Sequence, residues 1–172
     1  MGLEKNPTTG LTLEFFGPTV EFLTSPDDEQ NDFCVLKGTI PPGVSVPLHS
    51  HRDTEDFLVI SGSMEGLRHD SQGYRWIEAK AGDYIHVPSG AKHAWRNISD
   101  EPVVNLIVTT KTLGRFFREA GRPATGAPQP MTPEDLARFA AISARYGYWN
   151  ASPEENAEVG ILISFQAGEQ AV

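Results

Sequence analysis

The feature that most constrains the fold is a run of short strand-like segments, with no helical periodicity between Leu11 and Thr109. Apolar and polar residues alternate within the segments, and Gly or Pro residues separate them, as in strands joined by tight turns. The predicted strands are a bent pair within 11–23, then 33–40, 46–51, 56–61, 64–69, 74–79, 83–87, 92–97 and 102–110. Because no helices are available as crossovers for a parallel sheet, the pattern predicts an antiparallel sandwich or barrel.

Helical periodicity begins only at Thr112. Apolar residues then recur at i, i+3, i+4 and i+7 before Gly121, which predicts a short amphipathic helix against the outside of the barrel. These residues are Leu113, Phe116, Phe117 and Ala120. A second helix is predicted from Thr132 as its N-cap to Gly147 as its end, after a Pro-rich connector at 122–131.

We expect residues 1–172 to form one domain, since this length fits one and no long linker interrupts it. The barrel core would span about 11–110, the helical extension 112–148 and the tail 149–172. An apolar patch at 159–165 predicts one further short strand in the tail.

The net charge and the cysteine content limit which binding partners and which cellular compartment are expected. A formal net charge of -9 opposes binding to nucleic acid or to anionic lipid. No apolar stretch approaches the ~20 residues of a membrane helix, and the first residues lack the apolar core of a secretory signal. Cys34 is the single cysteine, so no internal disulfide forms and a reducing compartment is expected. We therefore predict a cytoplasmic protein without a membrane or nucleic-acid partner.

Two spaced patterns of histidine, glycine and acidic residues lie within the strand region. The first consists of Gly43, His49, His51, Glu55 and Gly62. The second consists of Gly82, Pro88, Gly90, His93 and Asn97. The glycines and the proline suit tight turns, and Asn97 suits a backbone hydrogen bond at a turn, which leaves three histidines and one glutamate to carry chemistry.

The spacing of these four side chains predicts one metal site. His49 and His51 lie two apart and so point to the same face of a strand. Glu55 keeps that parity across a bend at 52–54, and His93 approaches from another strand. Imidazole and carboxylate together suit a divalent transition metal, and Mn, Fe, Co, Ni, Cu and Zn all remain open.

These residues resemble the two motifs of the cupin family, G-x5-H-x-H-x3,4-E-x6-G and G-x5-P-x-G-x2-H-x3-N, at every specified position. Over about 33–110, the resemblance implies an all-β fold, a double-stranded β-helix (cupin or jelly-roll) barrel. The two predicted helices then follow the barrel as short C-terminal α-helices. It also implies that His49, His51, Glu55 and His93 are the metal ligands. The tail is similar to that of small bacterial quercetin-dioxygenase-like cupins, in FFREAGRP at 116–123 and TPEDL at 132–136.

Five apolar side chains are candidates for a substrate pocket around the metal, because small-ligand sites are mostly apolar. They are Phe33, Leu36, Phe57, Trp76 and Trp95. For each of them taken singly, plain barrel core is the alternative.

Four further polar residues have simpler predicted roles. His69 is expected to be exposed in a polar turn, and His86 either lines the barrel or is a hydrogen-bonded structural histidine. Asn97 is expected to bond to the backbone at a turn. Cys34 has no adjacent base and is expected to be a buried, inert thiol.

Four protein ligands on an octahedral metal leave about two positions for substrate and oxygen or water. The ligand set and the tail favour a metal-dependent, quercetinase-like dioxygenase acting on a small aromatic or enol substrate, with Glu55 also acting as a base. A metal-dependent isomerase or decarboxylase, and a non-enzymatic metal or small-molecule binding cupin, remain open. We also predict a homodimer in which segment 11–24 pairs across a twofold axis.

Overall fold

A computed structural model describes Leu3, Lys5, residues 7–127 and residues 129–163 of the chain. These residues contain twelve strands and three helices. The strands are β1 Thr12–Glu14, β2 Thr19–Phe22, β3 Phe33–Ile40, β4 Ser45–Ser50, β5 Glu55–Ser61, β6 Ser63–Asp70, β7 Gly73–Lys80, β8 Tyr84–Val87, β9 His93–Arg96, β10 Val103–Thr110, β11 Arg122–Pro123 and β12 Trp149–Asn150. The helices are α1 Lys111–Ala120, α2 Pro133–Tyr146 and α3 Pro153–Glu158.

The strands form two antiparallel sheets that face each other. The seven-stranded sheet has the order β11-β1-β2-β3-β10-β5-β8, and the five-stranded sheet has the order β12-β4-β9-β6-β7. Buried and half-buried residues alternate strictly along β10, an interior strand of the larger sheet. The predicted all-β, double-stranded β-helix barrel is therefore confirmed.

The hydrophobic core lies between the inner faces of the two sheets. Burial of each large apolar side chain there stabilises the fold by roughly 1.5–3 kcal/mol. The most deeply buried are Phe22, Leu36, Val59, Met64 and Val103. Gly62, which joins β5 to β6, has φ +77°, and a Cβ there would lie 2.7 Å from the Pro102 carbonyl oxygen. The turn therefore requires glycine for both its backbone angle and its close contact.

The two predicted helices are present, and their sequence signals explain their ends. α1 starts one residue earlier than predicted, with Thr110 as the N-cap that accepts from the Leu113 N–H. α2 has the Thr132–Asp135 capping box and ends at Gly147 in a left-handed conformation. No helix in the described part of the chain is long and apolar enough to cross a membrane.

Two predictions for the tail are wrong. The structure adds a third helix, α3, whose capping box joins Ser152 to Glu155. The strand predicted at 159–165 is absent from 159–163, where a turn follows α3, and 164–165 lie outside the described residues. The Ser-Pro-Glu-Glu sequence at 152–155 is a helix-start signal. The prediction instead relied on the apolar patch at 159–165 and so missed this helix.

The predicted dimer edge is also wrong. β1 pairs with β2 on one side and with β11 on the other, and β2 pairs with β3. Segment 11–24 therefore has no free edge for strand pairing across a twofold axis.

Candidate metal centre

Three histidines and one glutamate meet between the two sheets. His49 on β4 lies opposite His93 on β9, and His51 follows directly after β4. One potential ligand atom from each histidine lies within 4.8 Å of the other two. Glu55, the first residue of β5, approaches from the opposite sheet. The structure thus brings together all four residues that the sequence motifs single out.

The three histidine rings each bond to the main chain through Nδ1, which directs their Nε2 atoms towards the centre. The Nδ1 atom of each ring bonds to a main-chain carbonyl oxygen two residues away, so Nδ1 carries a proton and Nε2 is the nitrogen that faces the centre. The distances are 2.7 Å from His49 to Pro47, 2.8 Å from His51 to Asp53 and 2.9 Å from His93 to Ala91.

Glu55 completes the cluster at the free Nε2 atoms. Its Oε2 lies 3.2 Å from His51 Nε2 and 3.5 Å from His93 Nε2. All three residues are at most 5% exposed. His93 Nε2 is buried and has no hydrogen-bond partner among the described residues. Since an unsatisfied buried nitrogen is costly, this atom fits the role of a metal ligand.

The electrostatics of the cluster also suit a cation. Burial lowers the pKa of His49 to about 3, and the neighbouring His93 and His51 rings add to this effect. Burial alone would raise the pKa of Glu55, but His51 and His93 outweigh it and lower that pKa to about 2. Burial alone would lower the pKa of His51, but its hydrogen bond to Glu55 raises it. Without metal, an ionised Glu55 therefore holds a proton on His51, and a bound metal would replace that proton.

Three imidazole nitrogens and a carboxylate oxygen match the donor preference of divalent transition metals. The chain therefore has residues positioned to bind a metal ion, without selecting which one.

An open cavity of about 910 Å³ lies beside the centre, between β7 and β8 at the ends of the two sheets. His93 and Trp95 form its inner wall. Gly66 allows this arrangement, because a Cβ there would lie 2.6 Å from the Trp95 ring. Apolar side chains supply much of the remaining lining, among them Ile77, Ala79, Ile85, Val87 and Ala91. The size and the apolar character suit a small organic ligand.

Of the five predicted pocket residues, only Trp95 lines this cavity. Its ring lies 6.1 Å from that of His93 and 4.7 Å from that of Phe57, which packs in the core behind it. Leu36 is fully buried in the core.

The prediction is wrong for Phe33 and Trp76. Phe33 is 47% exposed, because the odd-numbered residues of β3 point outward. Trp76 lies on the outer face of the smaller sheet, where its Nε1–H donates to the Val159 carbonyl oxygen at 3.0 Å. The alternation that places Ile77 and Ala79 on the inner face turns Trp76 away from it. The same alternation in β8 could have identified Ile85 as a lining residue.

The remaining polar predictions are confirmed in part. His86 Nδ1 contacts Asp56 Oδ1 at 2.7 Å at the outer rim of the cavity, so the hydrogen-bonded interpretation is correct. His69 is exposed but lies in β6, not in a turn. The Asn97 amide donates to the carbonyl oxygens of Ile40 and Glu101 at the predicted turn.

Cys34 is fully buried, as predicted, against α1. A Cβ on Gly114 of that helix would lie 2.8 Å from Cys34 Sγ, so the helix packs closely on the thiol. Burial raises the pKa of this thiol, which keeps it protonated.

Comparisons with known proteins agree with this geometry. Residues 36–109 match the Cupin domain family. The chain is 28% identical over 133 residues to quercetin 2,3-dioxygenase from Bacillus subtilis, a match that covers 73% of the chain and 38% of that enzyme. A structure of the Bacillus subtilis oxalate decarboxylase, an enzyme with Mn(II) centres, is similar at 27% identity and a TM-score of 0.50, over 59% of the chain and 27% of the enzyme.

A Klebsiella pneumoniae protein with a double-stranded β-helix domain is also similar, at 24% identity and a TM-score of 0.46, over 61% of the chain and 81% of that protein. The chain thus spans less than half of the length of the two Bacillus enzymes that it matches.

Proposed function

The chain belongs to the cupin superfamily, and we propose that it is a metal-dependent dioxygenase acting on a small aromatic or enol substrate. The observation that carries the proposal is the set of free Nε2 atoms and the Glu55 carboxylate beside an open, largely apolar cavity. The 28% identity to a quercetin 2,3-dioxygenase supports the same substrate class.

We propose that His49, His51, Glu55 and His93 hold one divalent transition metal, which is Fe, Mn, Ni, Cu, Co or Zn. When bound, the metal would act as a Lewis acid on a substrate hydroxyl and leave coordination positions open to substrate and oxygen. The three Nδ1–carbonyl bonds keep the rings aimed at one point, so little reorganisation accompanies binding.

Glu55 has a second proposed role as a base. Its carboxylate is ionised, and its Oε2 lies within 3.5 Å of His51 Nε2 and His93 Nε2. An acidic hydroxyl of a substrate in the cavity would therefore find a proton acceptor beside His93. The cavity wall formed by Trp95 would bind the substrate ring and exclude water from this proton transfer.

Oxygen consumption by the metal-loaded protein tests the proposal directly. We expect consumption with a flavonol, a catechol or a β-diketone, and its loss after metal removal. A stoichiometrically loaded protein that consumes no oxygen with any of the three classes would overturn the dioxygenase assignment.

A metal-dependent decarboxylase or isomerase is the second candidate, because the chain is similar to the Mn(II)-containing oxalate decarboxylase. Turnover of small acids under nitrogen would favour it over the dioxygenase. Ligand binding without turnover in either atmosphere would instead indicate a non-enzymatic binding cupin.

We propose further that the chain acts as one domain and forms a homodimer. The support for the dimer is an apolar row on the outer face of the larger sheet, where Leu106, Leu58 and Tyr84 lie side by side on β10, β5 and β8. Leu58 is 42% exposed and Tyr84 is 66% exposed. Exposed apolar patches of this kind typically mark association sites. The cytoplasmic location stays a prediction.

A further inference from the structure

The strand that carries His49 is held on one side by the carboxy-terminal segment of the chain. β4 pairs with β9 on its inner side and with β12 on its other side, where Asn150 lies opposite His49 and Trp149 opposite Ser50. β12 lies well beyond residue 109, where the match to the Cupin domain ends. The tail is thus built into the same sheet as the histidines.

Asn156 strengthens this attachment at the residue before His49. It has no exposed surface, and its Oδ1 accepts a 2.8 Å hydrogen bond from the Leu48 N–H. The Leu48 carbonyl oxygen accepts from the Ala151 N–H at 2.9 Å. The Asn156 amide donates to the carbonyl oxygens of Ala151 and Ser152, so the side chain is itself held in place. Both backbone groups of Leu48 are therefore bound to the tail.

A second connection runs from Tyr148, the residue directly before the tail, to the His51 ring through Asp53. Asp53 is 5% exposed, and its main-chain carbonyl accepts the Nδ1–H of His51 at 2.8 Å. Its carboxylate accepts hydrogen bonds from the hydroxyls of Tyr148 and Thr110. The Tyr148 ring also lies 5.6 Å from the His51 ring. Tyr148 thereby holds the residue that orients His51.

We propose that residues 148–156 are a positioning element of the metal centre. They hold the backbone of β4 at His49 and, through Tyr148 and Asp53, the orientation and tautomer of His51. The inference rests on the proposed metal but not on the dioxygenase reaction. Because loss of the groups that orient metal ligands typically weakens metal binding 10- to 100-fold, the effect of removing the Tyr148 hydroxyl should be measurable.

The test uses Co(II) alone as the probe, with the full chain. Tyr148→Phe removes only the hydroxyl that contacts Asp53. Tyr146→Phe is the matched control, since Tyr146 lies in the same aromatic cluster, 5.6 Å from Tyr148 between ring centroids. Titration of the visible absorption of Co(II) gives both the affinity and the ligand-field spectrum, and thermal unfolding of the metal-free proteins reports stability separately.

We expect Tyr148→Phe to weaken Co(II) binding about tenfold and to shift the ligand-field bands, while Tyr146→Phe changes neither. Asp53→Asn should act in the same direction as Tyr148→Phe, and it replaces that variant if Tyr148→Phe does not fold. Unchanged affinity and spectrum in Tyr148→Phe, or equal losses in the Tyr146→Phe control, would overturn the inference.

The same titration separates this inference from the proposed reaction. If the wild-type protein binds no Co(II), the metal centre and the positioning role fail together. If it binds Co(II) tightly but the native-metal enzyme consumes no oxygen, only the dioxygenase proposal fails.

Discussion

At the scale of the residue, the centre depends on which nitrogen of each histidine is bound to the backbone. His49, His51 and His93 each bond through Nδ1 to a carbonyl only two residues away. These bonds are local, so the fold of each short segment selects the tautomer before a metal arrives. The long-range contribution is Glu55, which supplies the negative charge from the other sheet.

The proton shared by His51 and Glu55 predicts a pH dependence of metal binding. Because the pKa of His51 is raised, the metal-free protein keeps this proton to higher pH than an ordinary histidine would. Metal binding must release it, so the apparent affinity for Co(II) should rise about tenfold per pH unit and level off once His51 is deprotonated.

Titrations of the wild-type protein with Co(II) between about pH 5.5 and 8 would measure this dependence. This pH interval covers the range in which histidines titrate. Asp56→Asn is the control, because Asp56 bonds to His86 at the cavity rim and not to the proposed ligands. A wild-type affinity that stays constant across the range would contradict the shared proton.

The meeting of the three histidines and Glu55 was predictable because their spacing is local along the two motifs, while the cavity lining was not. Trp76 and Trp95 are both large aromatic residues, and only sheet register places Trp95 inward and Trp76 outward. The role of Tyr148 has no local signal at all, because Asp53 lies 95 residues away in the sequence. Residue type identified the chemistry, and long-range packing determined which side chains take part.

At the scale of the element, one arginine joins the carboxy-terminal extension to the barrel. Arg122 in β11 bonds to Glu14 in β1 at 2.6 Å and to Asp135 in α2 at 2.8 Å. Glu14 is only 6% exposed. Among the described residues, Arg122 is the only cation that pairs with this buried carboxylate.

Arg122→Ala should destabilise the protein by about 3 kcal/mol, because it leaves the Glu14 charge buried and unpaired. Urea unfolding of the metal-free protein measures the change. Arg118→Ala is the control, since Arg118 pairs with Asp27 on the surface, where solvent screens the charges, and it should have a much smaller effect. Equal unfolding midpoints for Arg122→Ala and the wild type would show that the buried pair does not stabilise the fold.

Element ends were predictable where capping residues mark them, as at Thr132 and Gly147 for α2. The short strands β11 and β12 were not, since two residues carry no periodicity and only their partners β1 and β4 define them. This difference explains why the predicted dimer edge fell on segment 11–24, in which β11 covers β1.

At the scale of the whole molecule, the outer faces of the two sheets differ. The tail covers the smaller sheet with an apolar cluster that includes Trp149 and Ile161. The larger sheet exposes Phe33, Leu58, Ile60 and Tyr84. Lys37 on β3 lies beside Leu106 at one end of the row, and Asp56 lies two residues from Leu58 on β5.

Light scattering tests whether this face is a dimer interface. The wild-type protein should have twice the mass of one chain, and Leu58→Glu should have the mass of one, because a buried charge opposes association. Ile98→Glu is the matched control, since Ile98 is 69% exposed in the loop between β9 and β10. A monomeric wild type, or a Leu58→Glu variant that stays dimeric, would contradict this interface.

The central claim is that the three histidines and Glu55 hold one metal ion, and the metal content of the protein tests it most directly. Elemental mass spectrometry of tag-free protein should give one equivalent of a divalent transition metal, which the His49→Ala/His93→Ala double variant should lose. His86→Ala, which removes the histidine at the cavity rim, should retain it. A wild-type protein that holds no metal after reconstitution, or a double variant that keeps a full equivalent, would contradict the account.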